Sequence, residues 1–358
     1  MTDPTQAMPS ILDDPKNDLA LDLASSELPL VSVCTPTYNR RPFIEAAKKC
    51  FQRQTYPAEK LEWIVIDDGT DPVLDLLQNE PRVKYTRLHD KLSLGEKRNL
   101  MHRKAQGDII VYMDDDDYYP PERVEHAVQS LIRGPYEMAG ASVIYIWFHE
   151  TEEMYCFGPY NPNHCTAGTF AFKKSWLKKH KYNDEKALAE EKDFLNDYKD
   201  PVYQLDPTKV ILCISHSHNT FDKRKLLKNI EGNRTLKRSD LKPEDFIKDP
   251  EMLQFFTKDI HEQLENYKEG DIRNKPDVLR QLYEMTDKRF NDFQNMIQQQ
   301  LTVTNSNNPN QRVTLSIPQL LEMLKQAQAQ VAELAQQNNQ FKQLNQMLVA
   351  RLKAASGN

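Results

Sequence analysis

The sequence predicts an α/β protein with a mostly parallel sheet. Three short β-prone runs, residues 30–35, 62–66 and 108–113, alternate with two helix-like stretches, residues 41–54 and 94–105. Strands that alternate with helices form βαβ units, and these units place parallel strands side by side with helices on the sheet faces.

The 358 residues divide into five predicted segments. Residues 1–28 are acidic and weakly periodic, which predicts a flexible tail. The strand pattern begins at residue 29 and ends near residue 225, so one folded domain is expected over 29–225. The charged stretch 226–302 predicts a helical extension, and the polar run 303–312 predicts a linker. Residues 313–356 have a pattern of their own.

That last segment carries a heptad repeat. Positions recur every seven residues from Ile317, and a second series follows three behind, from Leu320 to Ala355. A narrow two-position stripe is typical of a coiled coil, and the asparagines in the first series favour a low-order assembly. We therefore expect a homo-oligomer. The alternative is one amphipathic helix packed on its own domain.

Composition and charge argue against several classes of protein. The net charge of -6 argues against general nucleic-acid binding. Five cysteines without a CxxC pair indicate reduced thiols. No signal peptide is recognised, and no run approaches the ~18 apolar residues of a membrane span. A cytoplasmic location is expected.

Polar clusters follow three of the predicted strands, at residues 35–40, 67–71 and 114–117. Open α/β sheets bind ligands at the carboxyl ends of their strands, so parallel neighbours would bring these clusters to one edge. The third cluster is four consecutive aspartates. They suit the start of a helix after Pro120, and they also suit Mg²⁺ or Mn²⁺. No Walker or GxGxxG motif occurs in the sequence.

Seven motifs in order carry a resemblance. PTYNRRPF, VIDDGTD, LGEKRNL and VYMDDDDYYPPERV resemble the nucleotide-sugar half of family 2 glycosyltransferases of GT-A fold. AGTFAF, EEKDF and ISHSHNT resemble the acceptor half. The match spans residues 29–224. The sequence is also similar in character to glycosyltransferases of large DNA viruses, which makes a virion-associated location the second expectation.

The resemblance implies a role for each matching position. A nucleobase pocket would be lined by Thr35, Pro36, Thr37 and Tyr38. The donor would further be held by Asp67 or Asp68 at a uracil, Arg98 at the base or diphosphate, and Asp114 with Asp115 at the ribose or sugar. Asp116 would ligate Mn²⁺ or Mg²⁺, and His216, or else His218, would complete the metal site.

The family's acidic pair before an aromatic residue aligns with Glu190 and Glu191, so Glu191 is the expected catalytic base and Asp193 the second choice. The expected activity is metal-dependent, inverting transfer of a sugar, from a UDP-sugar by preference, to a glycan, protein or lipid acceptor. A sugar nucleotidyltransferase is disfavoured because residues 34–41 lack glycine. A scaffold that binds nucleotide-sugar without turnover remains the alternative.

Overall fold

The chain forms two compact units, Met1–Gln281 and Leu282–Asn358. The computed structural model describes residues 27–229, 235–298, 300–305 and 308–355. The tail predicted at residues 1–28 therefore lies almost wholly outside the described residues.

The first unit is built on a seven-stranded mixed sheet in the order β3-β2-β1-β4-β8-β5-β9. One half is parallel throughout, since β1 pairs in parallel with β2 and β4, and β2 with β3. β8 runs antiparallel to both β4 and β5. The predicted α/β class is confirmed. The strands are β1 (Val31–Thr37), β2 (Leu61–Asp67), β3 (Val83–Arg87), β4 (Ile109–Tyr112), β5 (Met138–Gly140), β8 (Ala171–Lys173) and β9 (Tyr203–Gln204).

The central strands are buried along their whole length. All seven residues of β2 and all four of β4 are shielded from solvent. Strands covered on both faces read as continuous apolar runs of β-branched residues, which is why the sequence identified them. Their rigidity positions the loops that follow them.

A second sheet has the order β10-β6-β7-β11. β6 runs parallel to β10 and antiparallel to β7, and β11 closes the other edge against β7. Its strands are β6 (Ile144–Phe148), β7 (Glu153–Phe157), β10 (Leu212–Ser215) and β11 (Leu236–Arg238).

The two predicted early helices are confirmed, with ends at Gln52 and Lys104. Among the described residues, no helix is both long and apolar enough to cross a membrane. The helices are α1 (Arg41–Gln52), α2 (Leu74–Leu77), α3 (Leu94–Lys104), α4 (Arg123–Arg133), α5 (Glu191–Phe194), α6 (Pro243–Phe246), α7 (Pro250–Gln254), α8 (Ile260–Asn266), α9 (Pro276–Gln298) and α10 (Ile317–Ala355).

The domain boundary predicted near residue 225 is wrong. Strand β11 completes the second sheet, and Phe246, Met252 and Phe256 belong to the main apolar core. These residues are scattered through a highly charged stretch, so the average composition hid them. The first unit therefore continues to Gln281.

The linker predicted at 303–312 is also wrong, because the described residues of this stretch lie in two paired strands. Strands β12 (Gln300–Asn305) and β13 (Asn308–Ser316) pair antiparallel. Alternating threonine and valine favour extended backbone even in a polar run. Helix α10 follows directly and covers the heptad repeat. Self-association through it stays a prediction.

Candidate active site

Three polar loops meet at one edge of the main sheet. β1 lies between β2 and β4 with all three strands parallel, so the loops after them emerge on the same side. A cavity opens there. It is lined by Pro36, Thr37, Tyr38, Arg40, Lys91, Leu92, Leu94, Lys97, Arg98, Asp114, Asp115, Asp116, Ala187, Thr220, Lys275, Asp277 and Val278.

Seven of the predicted site residues line this cavity, from three different loops or helices. The others lie outside its wall. The lining set comprises Pro36, Thr37, Tyr38, Arg98, Asp114, Asp115 and Asp116.

Thr35 and Asp67 hold the loops rather than facing the cavity. The Thr35 hydroxyl donates to the Met113 carbonyl at 2.6 Å, joining β1 to the end of β4. Asp67 accepts hydrogen bonds from the Gly69 and Val73 amides and from the Tyr85 hydroxyl. Both residues are almost fully buried. These hydrogen bonds position the loops, and the predicted contacts of both residues with a nucleotide stay predictions.

Asp68 has a similar positioning function. Its carboxylate accepts from the Leu92 amide at 2.8 Å and forms an ion pair with Lys97. The Lys97 ammonium also donates to the Thr37 carbonyl at 3.1 Å. This cluster ties the start of α3 to the loop after β1, and so shapes the cavity wall.

The cations of α3 face inward. Lys97 and Arg98 are 4% and 2% exposed, which excludes a solvated helix face for both. Arg98 Nε lies 2.9 Å from Glu190 Oε1, and Arg98 Nη2 lies 3.5 Å from Asp114 Oδ1. The guanidinium also lies over the Tyr112 ring at 4.6 Å from its centroid. Arg98 therefore links the acidic pair to the aspartate run.

The backbone of the first aspartate of the run is held by a hydrogen bond to Tyr119. The Asp114 amide donates to the Tyr119 hydroxyl at 2.7 Å, and that hydroxyl donates to the Gly168 carbonyl. A Cβ at Gly168 would approach Asp114 Oδ2 to 3.2 Å. Burial raises the pKa of Asp114, while the Arg98 charge opposes this shift.

The next two aspartates face Arg40. Its guanidinium lies 3.7 Å from Asp115 and 3.4 Å from Asp116. Burial and the neighbouring Asp116 raise the pKa of Asp115 to about 7, against the effect of Arg40. Burial acts on Asp116 too, but the contacts with His216 and Arg40 hold the pKa of Asp116 well below its usual range. Asp116 is thus the ionised member of the pair.

The fourth aspartate turns away from the cavity. Asp117 Oδ1 accepts from the Ile214 amide at 2.8 Å and lies 3.7 Å from the Lys223 ammonium. This carboxylate joins the aspartate loop to β10. It has a structural contact that the sequence did not identify.

His216, rather than His218, reaches the aspartate run. His216 Nε2 lies 3.2 Å from Asp116 Oδ2 and 2.7 Å from Asn219 Nδ2. Burial lowers the pKa of His216 to about 3, so the imidazole is neutral near pH 7. His218 instead packs against Gly270, where an added Cβ would come within 2.9 Å of its Nδ1.

Asp116 and His216 fit a divalent cation that takes its remaining ligands elsewhere. They pair an ionised carboxylate with a neutral imidazole. Within the part of the chain that the structure describes, no group of three or more acidic, histidine or cysteine side chains could hold a metal ion. Mg²⁺ commonly binds through one or two carboxylates together with substrate phosphates and water, so two protein ligands are sufficient.

The acidic pair divides into two environments. Glu190 is buried against Arg98, whereas Glu191 begins α5 and is partly exposed. Burial and the neighbouring Glu190 raise the pKa of Glu191 to about 7. Asp193 is exposed. Neither Glu191 nor Asp193 lines the cavity.

The family comparison matches the region that carries this geometry. Residues 32–180 match the model of "Glycosyl transferase family 2". We call residues 32–180, which are similar to that family, the family 2 segment. The family 2 segment includes the loops after β1, β2 and β4, and it ends before Glu191 and His216.

Several curated proteins are similar to part of this chain. TarS of Staphylococcus aureus, a poly(ribitol-phosphate) beta-N-acetylglucosaminyltransferase, is 30% identical over 101 residues, covering 27% of this chain and 18% of its own. Validoxylamine A glucosyltransferase of Streptomyces hygroscopicus is 32% identical over 107 residues, covering 28% of this chain and 25% of its own. The chain spans less than half the length of the curated relatives it matches.

Solved structures show a weaker likeness. The mannosyltransferase PcManGT of Pyrobaculum calidifontis, solved with GDP-Man and Mn²⁺, aligns with a TM-score of 0.45 at 17% identity, over 69% of this chain and 73% of its own. S. aureus TarS 1–349 with UDP-GlcNAc aligns with a TM-score of 0.43 at 18% identity, over 60% and 63%.

Part of the cavity comes from outside the family 2 segment. Thr220, Lys275, Asp277 and Val278 all lie beyond residue 180. The last three also lie beyond the domain boundary that the sequence predicted. Arg40 and Lys91 were not assigned to the site either. Arg40 lies within the motif PTYNRRPF without a role of its own there, and Lys91 lies outside all the motifs.

Proposed function

We propose that this protein transfers a sugar from a nucleotide-diphosphate donor to an acceptor hydroxyl, with a UDP-sugar as the favoured donor. The observation that carries the proposal is the cavity itself. It brings Tyr38, Arg98 and Asp116 together at the carboxyl ends of β1 and β4, within a family 2 segment.

Donor binding would use the loops in order. Tyr38 offers an aromatic ring at the cavity wall for the nucleobase, beside Pro36 and Thr37. Asp67 or Asp68, at the carboxyl end of β2, would hydrogen-bond the uracil of a UDP-sugar. Arg98 and Asp114, which line the same cavity, would contact the diphosphate and the sugar.

Asp116 and His216 would hold Mn²⁺ or Mg²⁺. A bound divalent cation would neutralise charge on the leaving diphosphate, so that no protonating acid is needed. The contacts of Arg40 with Asp115 and Asp116 would keep both carboxylates in place next to the donor.

Glu191 is the proposed base, with Asp193 as the second choice. The acceptor oxygen forms a bond to the anomeric carbon while the bond from that carbon to the diphosphate oxygen breaks. The acceptor proton passes to the base, and the electron pair leaves with the diphosphate. One displacement with one base inverts the anomeric configuration. The raised pKa of Glu191, about 7, suits a base near neutral pH.

The acceptor would be a glycan, protein or lipid hydroxyl. Assembly as a homo-oligomer would use α10. In the single chain, Leu324, Val331 and Leu334 of the heptad stripe are 55%, 66% and 64% exposed, which leaves an apolar stripe for a second copy of the helix.

A donor panel tests the proposal. The full chain is incubated with UDP-glucose, UDP-galactose, UDP-GlcNAc and GDP-mannose plus Mn²⁺, and release of the nucleoside diphosphate is followed. Release with one donor, abolished in Asp116→Asn, supports the activity. Tight binding of a nucleotide-sugar without release under any condition would favour the scaffold alternative. If the protein neither binds any donor nor releases a nucleotide from one, the transferase proposal and the scaffold alternative are both overturned.

A further inference from the structure

The cavity is lined by five cationic side chains, and four of them have a carboxylate partner. Arg40 faces Asp115 and Asp116, and Arg98 faces Glu190 and Asp114. The other two pairs are Lys91 with Asp277, at 2.6 Å, and Lys97 with Asp68. The fifth cation is Lys275.

Lys275 is buried without an ion-pair partner. The residue is 6% exposed, and its ammonium donates to the Thr220 hydroxyl at 3.2 Å. Among the residues that the structure describes, no carboxylate oxygen lies within 4.0 Å of this ammonium. An ammonium carries three donors, and burying a charge without a partner is costly. Burial and the nearby Arg40 charge lower the pKa of Lys275 to about 7, and an anion inside the cavity would favour the charged ammonium.

The segment that carries Lys275 is fastened to the loop after β1. The Tyr38 hydroxyl donates to the Asn274 carbonyl at 3.0 Å, and the Asn39 amide group donates to the Glu269 carbonyl at 2.9 Å. The Lys275 amide donates to the Ile272 carbonyl in a turn of 3₁₀ helix. The ammonium is thus held at a defined place, opposite the loop expected to bind the nucleotide.

The segment also approaches this loop very closely. A Cβ at Gly270 would lie 2.6 Å from the Asn39 carbonyl oxygen, so only glycine fits without a shift. Val278, on the other side of Lys275, is buried as well. Residues before and after Lys275 in the sequence are thus packed against the protein, so Lys275 belongs to the cavity wall and not to a solvated tail.

We propose that Lys275 binds the diphosphate of the donor and stabilises the negative charge that develops as the nucleoside diphosphate leaves. This inference rests on the proposed function. A diphosphate is the anionic part of a nucleotide-sugar, and Lys275 lines the same cavity as Arg98 and Asp116. When the bond between the anomeric carbon and the β-phosphate oxygen breaks, the electron pair stays on that oxygen, and an ammonium donor beside it lowers the barrier.

Three variants test this role in the full chain. Lys275→Met removes the charge but keeps the apolar stem, Lys275→Arg restores a cation, and Lys268→Met is the matched control on an exposed lysine of the same segment. Titration calorimetry compares UDP with uridine, or GDP with guanosine if the panel selects a GDP-sugar. Turnover of that donor is measured in parallel.

Lys275→Met is expected to bind the nucleoside diphosphate about tenfold to a hundredfold more weakly, with the nucleoside unaffected. Its kcat should fall too, and Lys275→Arg should recover part of both losses. Lys268→Met should match the wild type.

Two results would overturn the inference alone while leaving the proposed function standing. One is a wild-type level of diphosphate binding and turnover in Lys275→Met. The other is an equal loss of uridine and UDP binding, which would mean that Lys275 only shapes the wall. A wild-type protein that neither binds nor turns over any donor would instead remove the proposed function, and this inference with it.

Discussion

Arg98 and Glu190 form a buried ion pair, with Nε 2.9 Å from Oε1. The pair joins α3 to the residue just before α5, and thereby connects the aspartate run to the acidic pair. Glu190 is paired with Arg98. Glu191 is therefore the member of the acidic pair that we propose as the base.

Glu190→Gln should destabilise the protein. Removing one partner of a buried pair leaves an uncompensated charge, and we expect a loss of about 3 kcal/mol in the free energy of unfolding. Urea unfolding followed by fluorescence measures this. Glu262→Gln, at an exposed position, is the control and should stay within about 0.5 kcal/mol of wild type. Equal stabilities of the two variants would contradict the structural importance of the ion pair.

Activity should fall as the pH decreases through about 7. Burial and Glu190 raise the pKa of Glu191 to about 7, and only the deprotonated carboxylate can accept the acceptor's proton. A profile of kcat/KM against pH should show this limb. Glu191→Gln should lower kcat about a hundredfold or more, and Asp193→Asn should keep both the rate and the profile. The reverse result would move the base to Asp193.

The same variant separates catalysis from stability. The folded-state pKa of Glu191 lies above its ordinary value of 4.5, so its contribution to stability is present at low pH and is lost as the pH rises through about 7. Glu191→Gln should therefore unfold at the same or a higher temperature than wild type at pH 8. A less stable variant would show that the lost activity reflects damage to the fold.

Metal dependence should trace to Asp116 and not to Asp117. Chelation with EDTA is expected to abolish turnover, and added Mn²⁺ to restore it. Asp116→Asn should lower activity at least about a hundredfold, because charge stabilisation by a metal is worth several kcal/mol. Asp117→Asn is the matched control, since Asp117 is turned toward β10. Mn²⁺ binding in the presence of UDP, followed by electron paramagnetic resonance, should be lost in the first variant alone.

Truncation after Gln298 should lower the number of subunits in the oligomer and leave the cavity intact. All the residues that line the cavity lie between Pro36 and Val278. Sedimentation equilibrium should show a smaller species with undiminished donor binding. Val331→Lys in the full chain should have the same effect on assembly, and Gln330→Lys, outside the heptad stripe, should not. An unchanged mass in both the truncated chain and Val331→Lys would refute assembly through α10.

Local patterns predicted the part of the site that follows the strands. β4 is a continuous apolar run and β2 contains one over residues 63–66, so the ends of these strands and the loops after them could be read from composition and position. The family resemblance implied roles for Pro36, Tyr38, Arg98 and Asp116, and all four line the cavity. The same patterns could not show which side chains of each loop line the cavity and which turn away from it. Asp67 and Asp117 are the examples, because their directions depend on hydrogen bonds to distant amides.

The alternation of strands and helices, the order of the motifs and the acidic loop after β4 could all be predicted from residues close together in the chain. The extension of the first unit to Gln281, and the place of Lys275 in the same cavity as the loop after β1, depend on the folded chain. The Tyr38 hydroxyl is hydrogen-bonded to the Asn274 carbonyl, although the two residues lie far apart in the chain. A contact between such distant positions produces no periodic pattern or motif spacing from which it could be predicted.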